Sequence, residues 1–171
     1  MRITSVILAI VFITFPYSLS FNNHNYSYTT CFTPPEQCGD LIVNQINKSK
    51  YSIFVQAYGF TSKKIIEALI NAKVRGVEVE IILDRSNFSK RYNRVVETLL
   101  KNNIKVSEDP IKGIAHNKVM IIDNHTVITG SFNFTENADK RNAENVLIID
   151  NPELAKKYYE NWRVRKSYIS K

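Results

Sequence analysis

The sequence predicts a single α/β domain in which helices cover both faces of a mixed, mainly parallel β-sheet. Runs with strand periodicity alternate along the chain with runs of helical periodicity, an order typical of such layered folds. The runs are joined by short connections, and no segment repeats another. The 171 residues are therefore enough for one domain with a hydrophobic core.

The first half of the chain contains three helical runs and three strand-like runs. Residues 41–46 have apolar side chains at helical spacing, and residues 53–57 alternate as in a strand. Thr61 or Ser62 can cap the next helix, and Gly76 ends it. In chain order the predicted elements are a helix at 41–46, a strand at 53–57, a helix at 65–70, a strand at 77–83, a helix at 92–100 and a short strand at 104–106.

The second half begins with two predicted strands. They are rich in β-branched residues and are joined by a turn at Asp123, Asn124 and His125. Asn151 and Pro152 are typical of the start of a helix. The remaining predicted elements are a loop at 136–143, a strand at 145–149 and a last helix whose buried side includes residues 154–162.

The N-terminus has the features of a cleaved signal peptide. Arg2 precedes an apolar run at 6–15, and small residues follow at positions 18 and 20. An uncleaved anchor is the alternative, but the run is shorter than the ~20 residues that a membrane span needs. The predicted organisation is a signal peptide at 1–20, a polar N-terminal arm at 21–35 and a domain at 36–171.

Charge and cysteines narrow the cellular context. The net charge of +7 suits an anionic partner, either nucleic acid or an anionic membrane surface. Cys31 and Cys38 are expected to form a disulfide, because disulfides are stable in exported proteins. A metal site is not expected there, because no further Cys or nearby His completes a ligand set. A glycosylation sequon at Asn133 lies within the candidate site. We therefore expect a bacterial protein, secreted or periplasmic.

Four polar side chains are predicted to converge. His116 and Lys118 share a face of the first strand after residue 114, and Ser131 and Asn133 share a side beyond Gly130. An imidazole can attack phosphorus, while an amine, a hydroxyl and an amide can neutralise the non-bridging oxygens. This combination predicts a site that holds and attacks a phosphate.

At these positions the chain resembles the phospholipase D superfamily. Its H-x-K-x4-D motif and the following Gly-Ser-x-Asn correspond to His116, Lys118, Asp123, Gly130, Ser131 and Asn133. Glu144 fits the acidic residue that follows in short members. The resemblance covers residues 36–165 approximately, including 55–62 and 75–79.

The resemblance implies a mechanism and a partner. The family's chemistry uses two His–Lys pairs around one phosphate: one His attacks phosphorus, and the other protonates the leaving oxygen. The chain has one pair, so the second is expected from a two-fold homodimer. His116 would be nucleophile in one subunit, through a phosphohistidine, and general acid in the other.

The donors have more specific expected roles. Lys118 is expected to hold a phosphate oxygen, and Asn133 to donate through its amide. Ser131 is expected to hydrogen bond the loop or a neighbouring carboxylate, although it or Asn133 could cap the following turn instead.

Three further residues complete the predicted site. Glu144 is expected to accept a hydrogen bond from His116 Nδ1, and a surface salt bridge with Arg141 is the alternative. Asp123 belongs to the motif, but its position at a turn favours a structural role. Gln56 is expected to line the cleft. No cofactor or metal is expected, because no Asp/Glu cluster suggests Mg²⁺.

Three functions fit these features. The first is a phosphodiesterase that cleaves a phospholipid headgroup, for which Phe32, Phe88 or Tyr92 could contact a bilayer. The second is a metal-independent, non-specific endonuclease acting on DNA or RNA. The third, a catalytically silent basic module, is disfavoured because each motif residue is present. The basic residues that could follow a nucleic acid backbone are Lys63, Lys64, Lys90, Arg91, Arg94 and Lys112.

Overall fold

The computed structural model describes residues 26–91 and 93–169, which contain a seven-stranded mixed sheet flanked by helices. The predicted signal peptide and Tyr92 lie outside these ranges. The strands are β1 (Ser27–Thr33), β2 (Ser52–Ala57), β3 (Glu78–Leu83), β4 (Lys105–Glu108), β5 (Lys118–Ile122), β6 (Thr126–Gly130) and β7 (Glu144–Asp150). The helices are α1 (Cys38–Lys48), α2 (Lys63–Val74), α3 (Asn93–Lys101), α4 (Glu136–Lys140) and α5 (Pro152–Ser167), with a 3₁₀ turn at Arg85–Phe88.

The strand order is β1-β7-β6-β5-β2-β3-β4. Only β2–β3 and β3–β4 are parallel pairs within the described sheet, whereas β2–β5, β5–β6, β6–β7 and β1–β7 are antiparallel. The mixed sheet is confirmed, but the prediction that it is mainly parallel is wrong. Parallel pairing needs crossover helices, which connect β2, β3 and β4, while a short turn reverses the chain between β5 and β6.

Two predicted irregular segments contain regular structure. The expected N-terminal arm at 21–35 includes β1, an edge strand antiparallel to β7. The expected loop at 136–143 includes the short helix α4, which begins where the Thr135 hydroxyl accepts a hydrogen bond from the Ala138 N–H. Local periodicity therefore indicated neither the edge strand β1 nor the short helix α4.

Side chains alternate between the two faces of the sheet. Ile53 and Val55 of β2 join the core beneath α1 and α2, while Phe54 packs with Trp162 of α5 on the opposite face. The Trp162 indole N–H donates to the Val55 carbonyl at 3.2 Å, which fixes α5 on the sheet. No helix in the described ranges is long and apolar enough to cross a membrane.

The predicted disulfide between Cys31 and Cys38 is present. It joins β1 to the first residue of α1, and both cysteines are buried in the core. Glu36 lies beside the pair, but these three residues are not a metal site because the two thiols are joined to each other.

The turn between β5 and β6 confirms a structural role for Asp123. Asp123 and Asn124 both have positive φ, 54° and 51°, which Asp and Asn tolerate better than most residues. The Asp123 carboxylate accepts backbone N–H bonds from Lys50, Tyr51 and Ser52 at 2.9, 2.8 and 2.9 Å. It ties the end of β5 to the start of β2, about 16 Å along the strand from Lys118.

Asp123→Ala should lower the free energy of unfolding by about 2 kcal/mol, because three backbone N–H groups lose their acceptor. Asp123→Asn should cost less, since an amide oxygen can still accept from Tyr51 and Ser52. Urea unfolding measures both changes, and turnover below the transition should persist. An Asp123→Asn protein that matches the wild type in stability but has lost turnover would show that Asp123 takes part in the chemistry.

Candidate active site

The His116–Lys118 pair lies where β5 begins. Lys118 is the first residue of the strand, and His116 precedes the strand instead of belonging to it. The Lys118 side chain is buried, with 8% of the residue exposed, whereas His116 is exposed. Lys118 Nζ donates to the His116 carbonyl at 3.0 Å. A buried cation therefore contacts the backbone of a residue whose imidazole is accessible.

Tyr58, the residue after β2, contacts both members of the pair. Its ring centroid is 4.8 Å from that of His116 and 5.3 Å from Lys118 Nζ, within the range of a cation–π interaction. Its backbone N–H donates to the Asn117 carbonyl at 2.9 Å. The carboxyl end of β2 therefore positions the start of β5.

Asp84 supports the loop that leads to His116. It follows β3, is buried, and accepts hydrogen bonds from the N–H groups of Ala115 at 2.9 Å and Ser86 at 3.0 Å. Burial alone raises the pKa of its carboxyl, but the hydrogen bonds from Ser86 and Ala115 hold that pKa below its usual value. Sequence reasoning missed Asp84. Its position directly after a buried strand was the available signal.

Asn133 lies in the loop after β6 and contacts Gly59, the residue that follows Tyr58. The Gly59 N–H donates to Asn133 Oδ1 at 3.4 Å, which leaves the amide nitrogen as the available donor. A Cβ at Gly59 would approach Asn133 Cβ and Oδ1 to 3.3 Å, so glycine permits this close approach. The flanking Phe132 and Phe134 are buried in the core.

Ser131 binds a neighbouring carboxylate, as expected. Its hydroxyl donates to Glu144 Oε2 at 2.6 Å, and Asn142 Nδ2 donates to Glu144 Oε1 at 2.9 Å. Among the described residues of the monomer, Glu144 has no hydrogen bond to His116 and no ion pair with Arg141. In this structure Ser131 and Asn142 donate to the two carboxylate oxygens of Glu144. The hydrogen bond from His116 to Glu144 therefore stays a prediction.

The electrostatics of Lys118 favour an anionic ligand. Burial lowers the pKa of its amine, and the charge of Glu144 opposes this shift only in part. No carboxylate in the described ranges lies within 4.0 Å of Lys118 Nζ to form an ion pair. A phosphate oxygen would supply the missing partner.

Gln56 is not part of this arrangement, and its predicted place in the cleft is wrong. Its register partner is Val119, whereas Lys118 pairs with Ala57, so Gln56 points to the α5 face. There it lines a cavity of about 260 Å³ with Val119 and Tyr158. Its Nε2 is buried without a hydrogen-bond partner in the structure.

A polar cleft of about 480 Å³ adjoins the pair through Tyr58. Phe60 lies in its wall, and the loop before α2, the 3₁₀ turn and the start of α4 contribute the rest. Its polar lining residues are Thr61, Lys63, Asn87, Thr135, Glu136 and Asn137. The cleft offers hydrogen bonds to a polar group attached to a phosphate held at the pair.

Comparisons with known proteins identify the family of the chain. Residues 42–163 match the family model described as "Cardiolipin synthase, PLD-like domain". A phospholipase D of Rickettsia conorii is 55% identical over 139 residues, which are 81% of this chain and 69% of that protein. The mouse mitochondrial cardiolipin hydrolase is 31% identical over 114 residues, 67% of this chain and 51% of that one.

A solved structure has the same fold. The phospholipase D family member Nuc from Salmonella typhimurium aligns with a TM-score of 0.79 and 37% identity, over 83% of this chain and 95% of that one. The similarity confirms the α/β fold with a mixed sheet.

Lys118→Met should raise the free energy of unfolding by about 1 kcal/mol at neutral pH while removing activity, because a buried charge is replaced by an apolar group. The folded pKa of Lys118 lies below its ordinary 10.5. As pH rises, Lys118 therefore loses its proton in the folded state before it does so in the unfolded state. The difference in stability between Lys118→Met and the wild type should then narrow once the pH exceeds the lowered pKa. Urea unfolding from neutral pH upward measures the gap.

Lys118→Arg keeps the charge and is the matched control, so it should gain no stability. If Lys118→Met were less stable than the wild type at neutral pH, the buried amine would not destabilise the folded state.

Proposed function

The chain belongs to the phospholipase D superfamily of phosphodiesterases, and we propose that it is a phospholipase D that releases the headgroup of a phospholipid. The observation that carries this proposal is that the buried cation of Lys118 and the exposed His116 both contact the Tyr58 ring. The pair can hold a phosphodiester and attack it at one point. The identity to the Rickettsia conorii phospholipase D supports the lipid assignment.

The proposed reaction has two steps. His116 attacks phosphorus, the bond from phosphorus to the headgroup oxygen breaks, and the partner subunit's His116 gives its proton to that oxygen. Water then gives a proton to the partner subunit's His116 and attacks the phosphohistidine, the bond from phosphorus to His116 breaks, and phosphatidic acid and free His116 are the products. Lys118 and the Asn133 amide neutralise charge on the non-bridging oxygens in both steps.

The proposed active unit is a homodimer. Each chain supplies one His–Lys pair, and the two-step reaction needs a nucleophile and a separate acid. Since His116 is exposed, a two-fold axis beside it can bring two copies together. Glu144 would then be able to orient a histidine after its contacts rearrange.

The proposed location is outside the bacterial cytoplasm. The signal-like residues 1–20 precede a domain with a disulfide between Cys31 and Cys38. Disulfides persist in oxidising compartments, which supports export.

A metal-independent endonuclease is the second candidate function. The net charge of +7 and the basic segment at the start of α3, with Lys90 and Arg94, favour a polyanion. A catalytically silent binding module is less well supported, because the structure contains the imidazole of His116, the cation of Lys118 and the amide of Asn133.

Subunit exchange tests the shared site. When equal amounts of wild type and His116→Ala are unfolded and refolded together, activity should fall to roughly one quarter of that of the same total amount of wild type, because mixed dimers lack either the nucleophile or the acid. Without exchange the same mixture should keep about one half. If refolding also leaves about one half, each chain acts alone.

A comparison of initial rates tests which substrate class the enzyme uses. The rates are measured on phosphatidylcholine vesicles and on plasmid DNA, in EDTA and across a salt series. A lipid enzyme should release free headgroup at a rate that depends on vesicle composition. A nuclease should instead lose rate steeply with salt, because contacts to phosphates release counterions. DNA cleavage without headgroup release would reject the lipid assignment and leave the role of His116 unaffected.

A further inference from the structure

An apolar groove runs between α2 and α3 on the surface next to the catalytic cleft. It has a volume of about 370 Å³, and Ile66, Ile70 and Val95 form its apolar wall. Ile70 and Val95 are only partly buried, although they pack against the main core. Apolar surface of this kind is available to a ligand.

The groove and the cleft are adjacent and share part of their lining. Thr61 and Lys63 line both cavities, and Tyr58 lines the cleft while its ring contacts His116. The imidazole, the cleft and the groove are therefore neighbours: Tyr58 contacts the imidazole and lines the cleft, and Lys63 lines both the cleft and the groove. From Lys63 to Ile70 the groove follows α2 for about 10 Å, at 1.5 Å per residue.

The charges at the groove suit an amphiphile with an anionic end. Lys63 and Arg94 line the groove and are exposed. Neither forms an ion pair with another residue in the described ranges. Glu67 contributes one opposing carboxylate, so the three charges sum to about +1. A nucleic acid backbone would use the two cations but has no group for the apolar wall between them.

Resting on the proposed function, we propose that this groove binds one acyl chain of the phospholipid whose phosphate is held at His116 and Lys118. The phosphate occupies the pair, the glycerol backbone passes along the cleft, and the aliphatic chain lies against Ile66, Ile70 and Val95. The groove then distinguishes lipid from nucleic acid, which the shared phosphate chemistry of the pair does not.

Chain length provides the test. Dibutyryl and dihexanoyl phosphatidylcholine, both used as dissolved monomers, differ by two methylenes in each chain. Each methylene that enters the groove should raise kcat/KM about fourfold, so the wild type should prefer the longer substrate about fifteenfold. Ile70→Gln, which makes the wall polar, should lose most of this preference.

Val74→Gln is the matched control. Val74 lies one turn further along α2, is 81% exposed and does not line the groove, so its replacement should leave the preference intact. Turnover of bis(p-nitrophenyl) phosphate, which has no acyl chain, shows whether each variant keeps its fold and its chemistry. Val95→Phe fills the groove with an apolar group and should also reduce the preference.

The outcomes separate the two proposals. A wild type that cleaves both lipids equally well, or an Ile70→Gln protein that keeps the full preference, would overturn the acyl-chain groove while the phospholipase D function stands. A wild type that cleaves bis(p-nitrophenyl) phosphate and DNA but neither lipid would overturn the lipid assignment and the groove together.

Discussion

Strand β5 lies in the middle of the sheet, hydrogen bonded to β2 on one side and to β6 on the other. Its register places Lys118 opposite Ala57, so the amine turns towards the face of α1 and α2 while Val119 turns towards α5. A slip of one residue would exchange these faces and put the cation among the aromatic residues beneath α5. Asp123 opposes such a slip, because it binds the residues that lead into β2.

The register of β5 buries Lys118, and burial changes the chemical properties of its amine. The strand leaves 8% of the residue exposed, and burial lowers the pKa of its amine. An ammonium group without a carboxylate partner weakens the fold, but it would interact strongly with an incoming phosphate because little water competes. Tyr58 and the His116 carbonyl hold the amine in place, so the cation is oriented before the substrate arrives.

Local sequence predicted the parts of the molecule that local forces determine. The turn role of Asp123 followed from its residue type, and the bond from Ser131 to a carboxylate followed from its place in the loop after β6. The strand β1 was missed because its partner β7 lies more than a hundred residues away, and a polar edge strand has weak periodicity of its own.

The errors at the site have the same origin. Alternation alone shows that Gln56 and Ala57 face opposite ways, but which of them shares a face with Lys118 depends on pairing between β2 and β5. Asp84 reaches the Ala115 N–H across 31 residues, a contact that no local motif contains. Non-local register therefore limited the prediction of the site more than residue chemistry did.

The central claim is that His116 becomes covalently bound to phosphorus. A rapid-quench experiment with bis(p-nitrophenyl) phosphate, followed by mass spectrometry of the peptide that contains His116, tests it independently of the natural substrate. We expect a burst of about one nitrophenolate per dimer and a nitrophenyl-phosphate group on His116 that disappears in His116→Ala. A first turnover that releases nitrophenolate with no phosphorus adduct on His116 would contradict the account.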